Sequence, residues 1–517
     1  MRTVVIGIDG LGVRHLDRDA SSMPTITGLC DRGIEARLES THPPSVGCAW
    51  PSLYTGTEPS HHGVYGSLTY DAYPSDPQPA SRIDVRRPAM WDYLSSEGTS
   101  SVVLNVPVTH PADPMNGVLV PGDSPAGTEP AHPMGIRDEL ADERGDPFTE
   151  PPTDERTGVE TLVDSVDRRR RAVCSLLERT EWEFAVVRLD ELETAVGEAD
   201  DASDLEPLYQ AVDAFVGSVL ETVGEETNVV CCSTRGVTPV TGYRIAINEV
   251  LREVGFLEPT DGGEPPTPSF QIGQRDGREH QAGPIERALR AGDRVMARLG
   301  LESTLAEFVD EPADSADDRI DWYSSIAYCP DETCMGVRIN LAGREPYGNV
   351  PPSRYESVCD ELVELLTALE TPDGEPAFEF VCRRDHLHEG HFFEDAPDVC
   401  FLPKAMNHTV STALSGRRFD SIDTVGLGFE GVFVGAGPGF TGAPPTHRLS
   451  LVDVAPITMA LLGRPVPSLM TGSVPDGLLV DPVIRGRYDD LVYGAAATDP
   501  LFDDGDVGSR LEDAGHL

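Results

Sequence analysis

The first sixty-odd residues hold the densest set of groups able to do chemistry. Asp9 closes the apolar run Val4-Val5-Ile6-Gly7-Ile8. Hydroxyls and imidazoles follow in Ser40-Thr41-His42-Pro43-Pro44-Ser45-Val46-Gly47-Cys48-Ala49-Trp50, then in Thr55-Gly56 and His61-His62-Gly63-Val64. A carboxylate facing a hydroxyl-bearing turn suits a metal-assisted nucleophile, because a cation held by the carboxylate lowers the hydroxyl pKa.

Such groups need a scaffold. Residues 4–8 form a short β-branched run ended by Asp9-Gly10, which predicts a buried parallel strand with a functional loop at its carboxyl end. Similar runs recur at 101–106, 184–189, 229–232, 399–402 and 431–435. Helical spacing of apolar residues appears at 161–178, 205–223, 354–369 and 451–462. The alternation predicts an α/β fold, a mostly parallel central sheet with helices on both faces. Two stretches read as excursions: 111–154, a cap-like region, and 258–318, an insertion with a helical part at 285–308. Residues 1–480 are thus expected to form one α/β domain, and 481–517 an acidic, loosely held tail.

The formal net charge of −48 is spread along the chain, and Lys404 is the only lysine. Such a surface repels nucleic acid and anionic membranes, so neither is expected as a partner. It predicts adaptation to a salt-rich cytoplasm, where screening acts over about 3 Å at 1 M. The chain opens without the apolar core of a secretory signal, and no stretch reaches the length of a membrane span, which predicts a soluble cytoplasmic protein. The ten cysteines show no paired CxxC spacing and are expected to be reduced core thiols.

The motifs resemble those of the alkaline phosphatase superfamily, in its type I phosphodiesterase, nucleotide pyrophosphatase and predicted-phosphohydrolase branch. Beside the N-terminal segment, Asn105-Val106-Pro107-Val108-Thr109 and Ser233-Thr234-Arg235-Gly236-Val237 with Asn248-Glu249-Val250-Leu251 are similar to family segments. So are Asn340-Leu341-Ala342-Gly343-Arg344-Glu345-Pro346, Ala396-Pro397-Asp398-Val399 and Asp453-Val454-Ala455-Pro456-Ile457-Thr458. The resemblance covers about residues 1 to 480 and implies an alkaline-phosphatase-like fold. In that family two divalent metals, often zinc or manganese, flank a Ser or Thr nucleophile, one held by two Asp and a His, the other by an Asp and two His.

Carried over by position, the resemblance puts the opening metal-binding Asp on Asp9 and the nucleophile on Val46, with Ser45 one residue early. The Asp-x-x-x-His pair falls on Asp190 and Thr194. The Asp and His of the Ser-Asp-His-Gly segment fall on Thr234 and Arg235, and the late histidine on Leu427. Each metal site keeps one anionic ligand of three, too few for zinc. Arg235 is expected to pair with Asp9 in place of a cation. His62 matches a histidine near the family's site, with a supporting donor role and a packing role both open. His386-Leu387-His388-Glu389-Gly390-His391 falls in a connecting loop in family terms and is expected on the surface.

These matches imply a catalytically degenerate homologue that keeps neither the full metal pair nor the nucleophile, and whose pocket at Arg235 takes a phosphorylated or other anionic small molecule. Two alternatives stand beside it. One is an active metal-dependent phosphoric ester hydrolase using Ser45 with Asp9 and Asp190, including a weak Mg²⁺ or Ca²⁺ site helped by Glu191, Glu193 or Glu198. The other is a non-catalytic scaffold.

Overall fold

The computed structural model describes residues 1–18, 21–70, 77–122, 131–149, 158–195, 205–260, 320–488 and 491. Eight strands build the central sheet: β1 (Arg2–Ile8), β2 (Ile34–Glu39), β3 (Ser101–Val106), β4 (Gly117–Pro121), β5 (Phe184–Leu189), β6 (Thr227–Cys232), β7 (Glu430–Ala436) and β8 (Leu449–Ser450). Their order is β8-β2-β7-β6-β1-β5-β3-β4. Seven run one way, and β7 runs against its neighbours β2 and β6.

The period-two alternation of β1 decides how the layers form. Val4, Ile6 and Ile8 enter one core, and Val5 enters the other. On the first face lie α1 (Pro24–Arg32), α3 (Val159–Arg179) and α5 (Glu206–Val223), through Ile26, Val166, Val173, Val212 and Phe215. On the second lie α2 (Val46–Thr55) and α7 (Val454–Leu461), through Trp50, Leu53, Val454 and Ile457. The short α4 (Glu191–Ala195) follows β5 directly.

A third core belongs to a smaller antiparallel sheet of Ala327–Tyr328, Gly336–Ile339, Val399–Pro403 and Phe378–Arg383, with α6 (Tyr355–Thr367) against it. Here the structure corrects one expectation. The run 399–402 is a strand of this second sheet, since an apolar run alone does not say which sheet it joins. Asp398, fully buried, accepts a forked pair of bonds from Arg344 at 2.8 and 2.6 Å, which ties together two of the segments that carry the resemblance.

The excursions also resolve in part. Within 111–154, Gly117–Pro121 is the edge strand β4, a β-branched run too short to stand out among its Pro and Gly neighbours. The ends of the second excursion are bridged, Pro259 to Ile320, while 261–319, with its expected helix, lies outside the described residues. The tail begins anchored: Arg485–Gly486 pairs with Val466–Pro467, and the Tyr488 hydroxyl donates to the Pro465 carbonyl at 2.8 Å. Among the described residues, no helix is long and apolar enough to cross a membrane.

Candidate functional site

The carboxyl ends of β1, β5 and β6 lie side by side and deliver Asp9, Asp190 and the Ser233-Thr234-Arg235 turn to one place. Gly7 shapes the approach. A Cβ there would lie 2.3 Å from the Trp50 ring, so only glycine lets the indole rest on the strand. From that position Trp50 Nε1 donates to Asp9 Oδ2 at 2.9 Å.

Asp9 is fully buried and both its oxygens are engaged. Arg188 Nε donates to Oδ2 at 2.6 Å, and Thr234 Oγ1 donates to Oδ1 at 2.8 Å. The expected Arg235–Asp9 pair is therefore corrected: the partner is Arg188, from within β5. Arg235 instead donates to Glu193 on α4 and to the Pro44 carbonyl. The reason is reach. Arg188 starts from the strand hydrogen-bonded to β1 and points along the same face, whereas Arg235 leaves the β6 turn towards the loop before α2.

Asp190 is held by a third arginine. Arg169 on α3 donates to its Oδ1, Asn105 Nδ2 adds a bond at 3.3 Å, and Arg188 stands 3.9 Å from its Oδ2. Burial works against the Asp190 carboxylate, yet Arg169 and Arg188 outweigh it and hold its carboxyl below the usual range. Glu191 and Glu193 are pushed the other way, chiefly by burial, despite Arg169 beside the first and Arg235 beside the second. Four carboxyl groups thus face three guanidinium groups, so that arginine charge answers most of the buried acid.

The other sequence-predicted positions surround it. Thr194 Oγ1 donates back to the Asp190 carbonyl at 3.1 Å, as a helix threonine without a ligand does. Val46 opens α2 and packs against the second core. Leu427 sits in Thr424–Leu427, paired with Val237 at the edge of the site. Ser45 is the N-cap residue of α2, but its Oγ is buried and has no hydrogen-bond partner, as is also true of Arg235 Nε. His62 is fully buried away from these groups: Nδ1 accepts from the Val64 amide at 3.2 Å, so Nε2 donates to Ser52 Oγ at 2.8 Å.

Two of the three arginines were missed from sequence, though each leaves a trace. Arg188 interrupts the otherwise apolar Phe184-Ala185-Val186-Val187-Arg188-Leu189. Arg169 falls on the apolar stripe Leu162, Val166, Val173, Leu176 at its three- and four-residue spacing. A cation on a core-facing position needs a buried anion.

The family's two divalent metals do not fit these residues. Both oxygens of Asp9 already accept bonds, and a dication within about 4 Å of the Arg188 guanidinium would meet repulsion of about 8 kcal/mol at an effective dielectric of about 20. Zinc also wants about four donors, which Asp9 and Asp190 cannot supply alone.

The fold is that of an alkaline-phosphatase-like α/β protein. The type I phosphodiesterase / nucleotide pyrophosphatase family model matches residues 3–419, and the chain belongs to that family. Phosphonoacetate hydrolase from Sinorhizobium meliloti 1021, in complex with phosphonoformate, is similar at a TM-score of 0.57 and 14% identity, over 90% of this chain and 95% of that one. Human ectonucleotide pyrophosphatase/phosphodiesterase 5 is similar at a TM-score of 0.51 and 12% identity, over 93% of this chain and 100% of that one. Its murine counterpart, an inactive form in complex with AMP, gives 0.50 and 10%, over 90% and 96%. No curated protein sequence matches the chain.

Proposed function

We propose that this chain is a family member without metal-dependent ester hydrolysis, its metal centre replaced by an arginine–carboxylate network. The observation that carries this reading is the Asp9 carboxylate, saturated by Arg188, Trp50 and Thr234 at 2.6, 2.9 and 2.8 Å. Ser45, the nearest hydroxyl to the family's nucleophile position, has no hydrogen-bond partner to take its proton.

A small anionic ligand is the function this site still supports. The Ser45 hydroxyl and Arg235 Nε–H are both unpartnered, Arg235 grips the Pro44 carbonyl next to Ser45, and the amino end of α2 adds a favourable dipole. Relatives of the same fold were solved with phosphonoformate and with AMP, which makes a phosphorylated small molecule the first class to try. We also read the −48 charge as adaptation to a salt-rich cytoplasm, so measurements belong in concentrated KCl.

The test is hydrolysis of bis(p-nitrophenyl) phosphate and of a nucleotide pyrophosphate with zinc, manganese or magnesium added, beside thermal shifts with AMP and phosphonates. The expected result is background hydrolysis with a ligand-dependent rise in melting temperature that Arg235→Ala removes. Turnover abolished by Asp9→Asn and Asp190→Asn would overturn it in favour of the active hydrolase. A melting temperature indifferent to every anion would leave the scaffold reading.

A further inference from the structure

His42, His388 and Cys400 come from three separate parts of the chain and meet in the interior, one donor atom from each lying within 4.8 Å of the others. They are 7%, 5% and 0% exposed. None belongs to the arginine–carboxylate network.

Their bonding leaves donors free. His42 Nε2 lies 2.9 Å from the Phe401 carbonyl oxygen, which can only accept, so Nε2 carries the proton and Nδ1 the lone pair. That Nδ1 is buried without a partner, and so is His388 Nε2. The Cys400 thiol reaches only the Pro397 carbonyl, at 3.6 Å. Two unsatisfied ring nitrogens beside a sulfur are unusual in an interior, where nearly all polar atoms are paired.

The three side chains are also held in place before any ligand arrives. The His388 loop is fixed by Ser60: the Gly390 amide donates to its Oγ at 3.0 Å and the Phe392 amide to its carbonyl at 2.8 Å. A Cβ on Gly390 would lie 2.2 Å from the Ser60 carbonyl oxygen, so glycine is required there. The Tyr65 ring meets His388 edge-on at 5.1 Å, and the Phe401 carbonyl orients His42 as a backbone acceptor orients a metal-bound imidazole. Cys382 stands opposite Cys400 across the antiparallel pair, so both side chains leave the sheet on one face, but Cys382 lies outside the three-donor cluster.

We propose that His42 Nδ1, His388 Nε2 and Cys400 Sγ hold one thiophilic transition-metal ion, zinc(II) or copper(I). Imidazole and thiolate donors suit these ions, whereas magnesium and calcium want oxygen. The Cys400 proton leaves to solvent as the sulfur–metal bond forms. Charge separates the two ions: the Cys400 thiolate neutralises copper(I), whereas it leaves zinc(II) with one positive charge. The ion would join the loop before α2 to the second sheet.

The test uses the full chain, stripped with chelator under reducing conditions in high KCl, then titrated with zinc(II) and, without oxygen, with copper(I). Bound metal is counted by plasma mass spectrometry. The expected result is one ion per chain, with affinity lowered at least about 10-fold in Cys400→Ser and in His388→Gln. Cys382→Ser, which lies outside the cluster, leaves binding of the ion unchanged. Should the variants fail to fold, cobalt(II) added to the unaltered protein gives a thiolate-to-cobalt charge-transfer band. Absence of that band, binding of neither ion, or undiminished binding in both folded variants would overturn the proposal.

Discussion

The ends of β1 and β5 and the pocket behind His42 teach opposite lessons about buried polar groups. At the first, where the family keeps its metals, Asp9 and Asp190 have their oxygens taken by Arg188, Arg169, Trp50, Thr234 and Asn105. At the second, two imidazole nitrogens stand buried with nothing to bond. Family position alone marks the first as a metal site, whereas free lone pairs mark the second. What a cluster can bind depends on which donors its own neighbours have already consumed.

The comparison is broken most forcefully at Arg188. Arg188→Met leaves the Asp9 carboxylate buried beside only neutral donors and should cost about 3–5 kcal/mol, the range for removing one partner of a buried ion pair. Urea unfolding in high KCl measures it. Pairing the change with Asp9→Asn should recover much of the loss, and strict additivity would mean the two side chains do not act as a pair.

His62 sharpens the contrast, because it is a buried imidazole whose two nitrogens are both bonded. Burial first, then His61 and Arg87, push its pKa down to about 3 from 6.5. Below about pH 6.5 the unfolded chain takes up a proton that the folded chain refuses, so stability is full above that pH and falls as the pH drops towards about 3. His62→Gln should flatten this part of the stability–pH curve, and an unchanged slope would show that His62 takes up its proton at the same pH folded and unfolded.

Metal linkage follows in size. Zinc or copper(I) at a hundredfold excess over its dissociation constant should stabilise the folded chain by about 2.7 kcal/mol, seen as a rise in melting temperature that Cys400→Ser abolishes. Manganese and magnesium should have no such effect.

The smallest effect is expected at Ser45. Its hydroxyl is buried, makes no cap bond and has no partner, so Ser45→Ala should be neutral or stabilise by up to about 1 kcal/mol, against the usual loss of about 1 kcal/mol when a bonded N-cap is removed. A clear destabilisation would reveal a bond to Ser45 that the static geometry lacks.

Much of the fold was legible because short β-branched runs and three-to-four spacing survive without tertiary information. The runs at 4–8, 101–106, 184–189 and 229–232 became β1, β3, β5 and β6, and the pattern at 161–178 became α3. Residues 399–402 were read as one more run of the same kind, since sheet membership is a matter of pairing partners and not of local pattern. The site was legible by position and not by bonding. Asp9, Asp190, Thr234 and Arg235 do converge, but the choice of Arg188 over Arg235 as the Asp9 partner depends on side-chain reach across two strands. His388 was expected on a surface loop because the resemblance places that stretch in a connection before Pro397-Asp398, whereas the Ser60 and Tyr65 contacts turn it inward.

Metal content of the Cys400→Ser chain tests the central claim most directly. Dialysed in high KCl against zinc and manganese and then counted by plasma mass spectrometry, it should retain neither metal, because Asp9 and Asp190 are already neutralised by arginine. Two ions per chain, lost on Asp9→Asn and Asp190→Asn, would contradict the account and restore the chain to the metal-dependent phosphohydrolases.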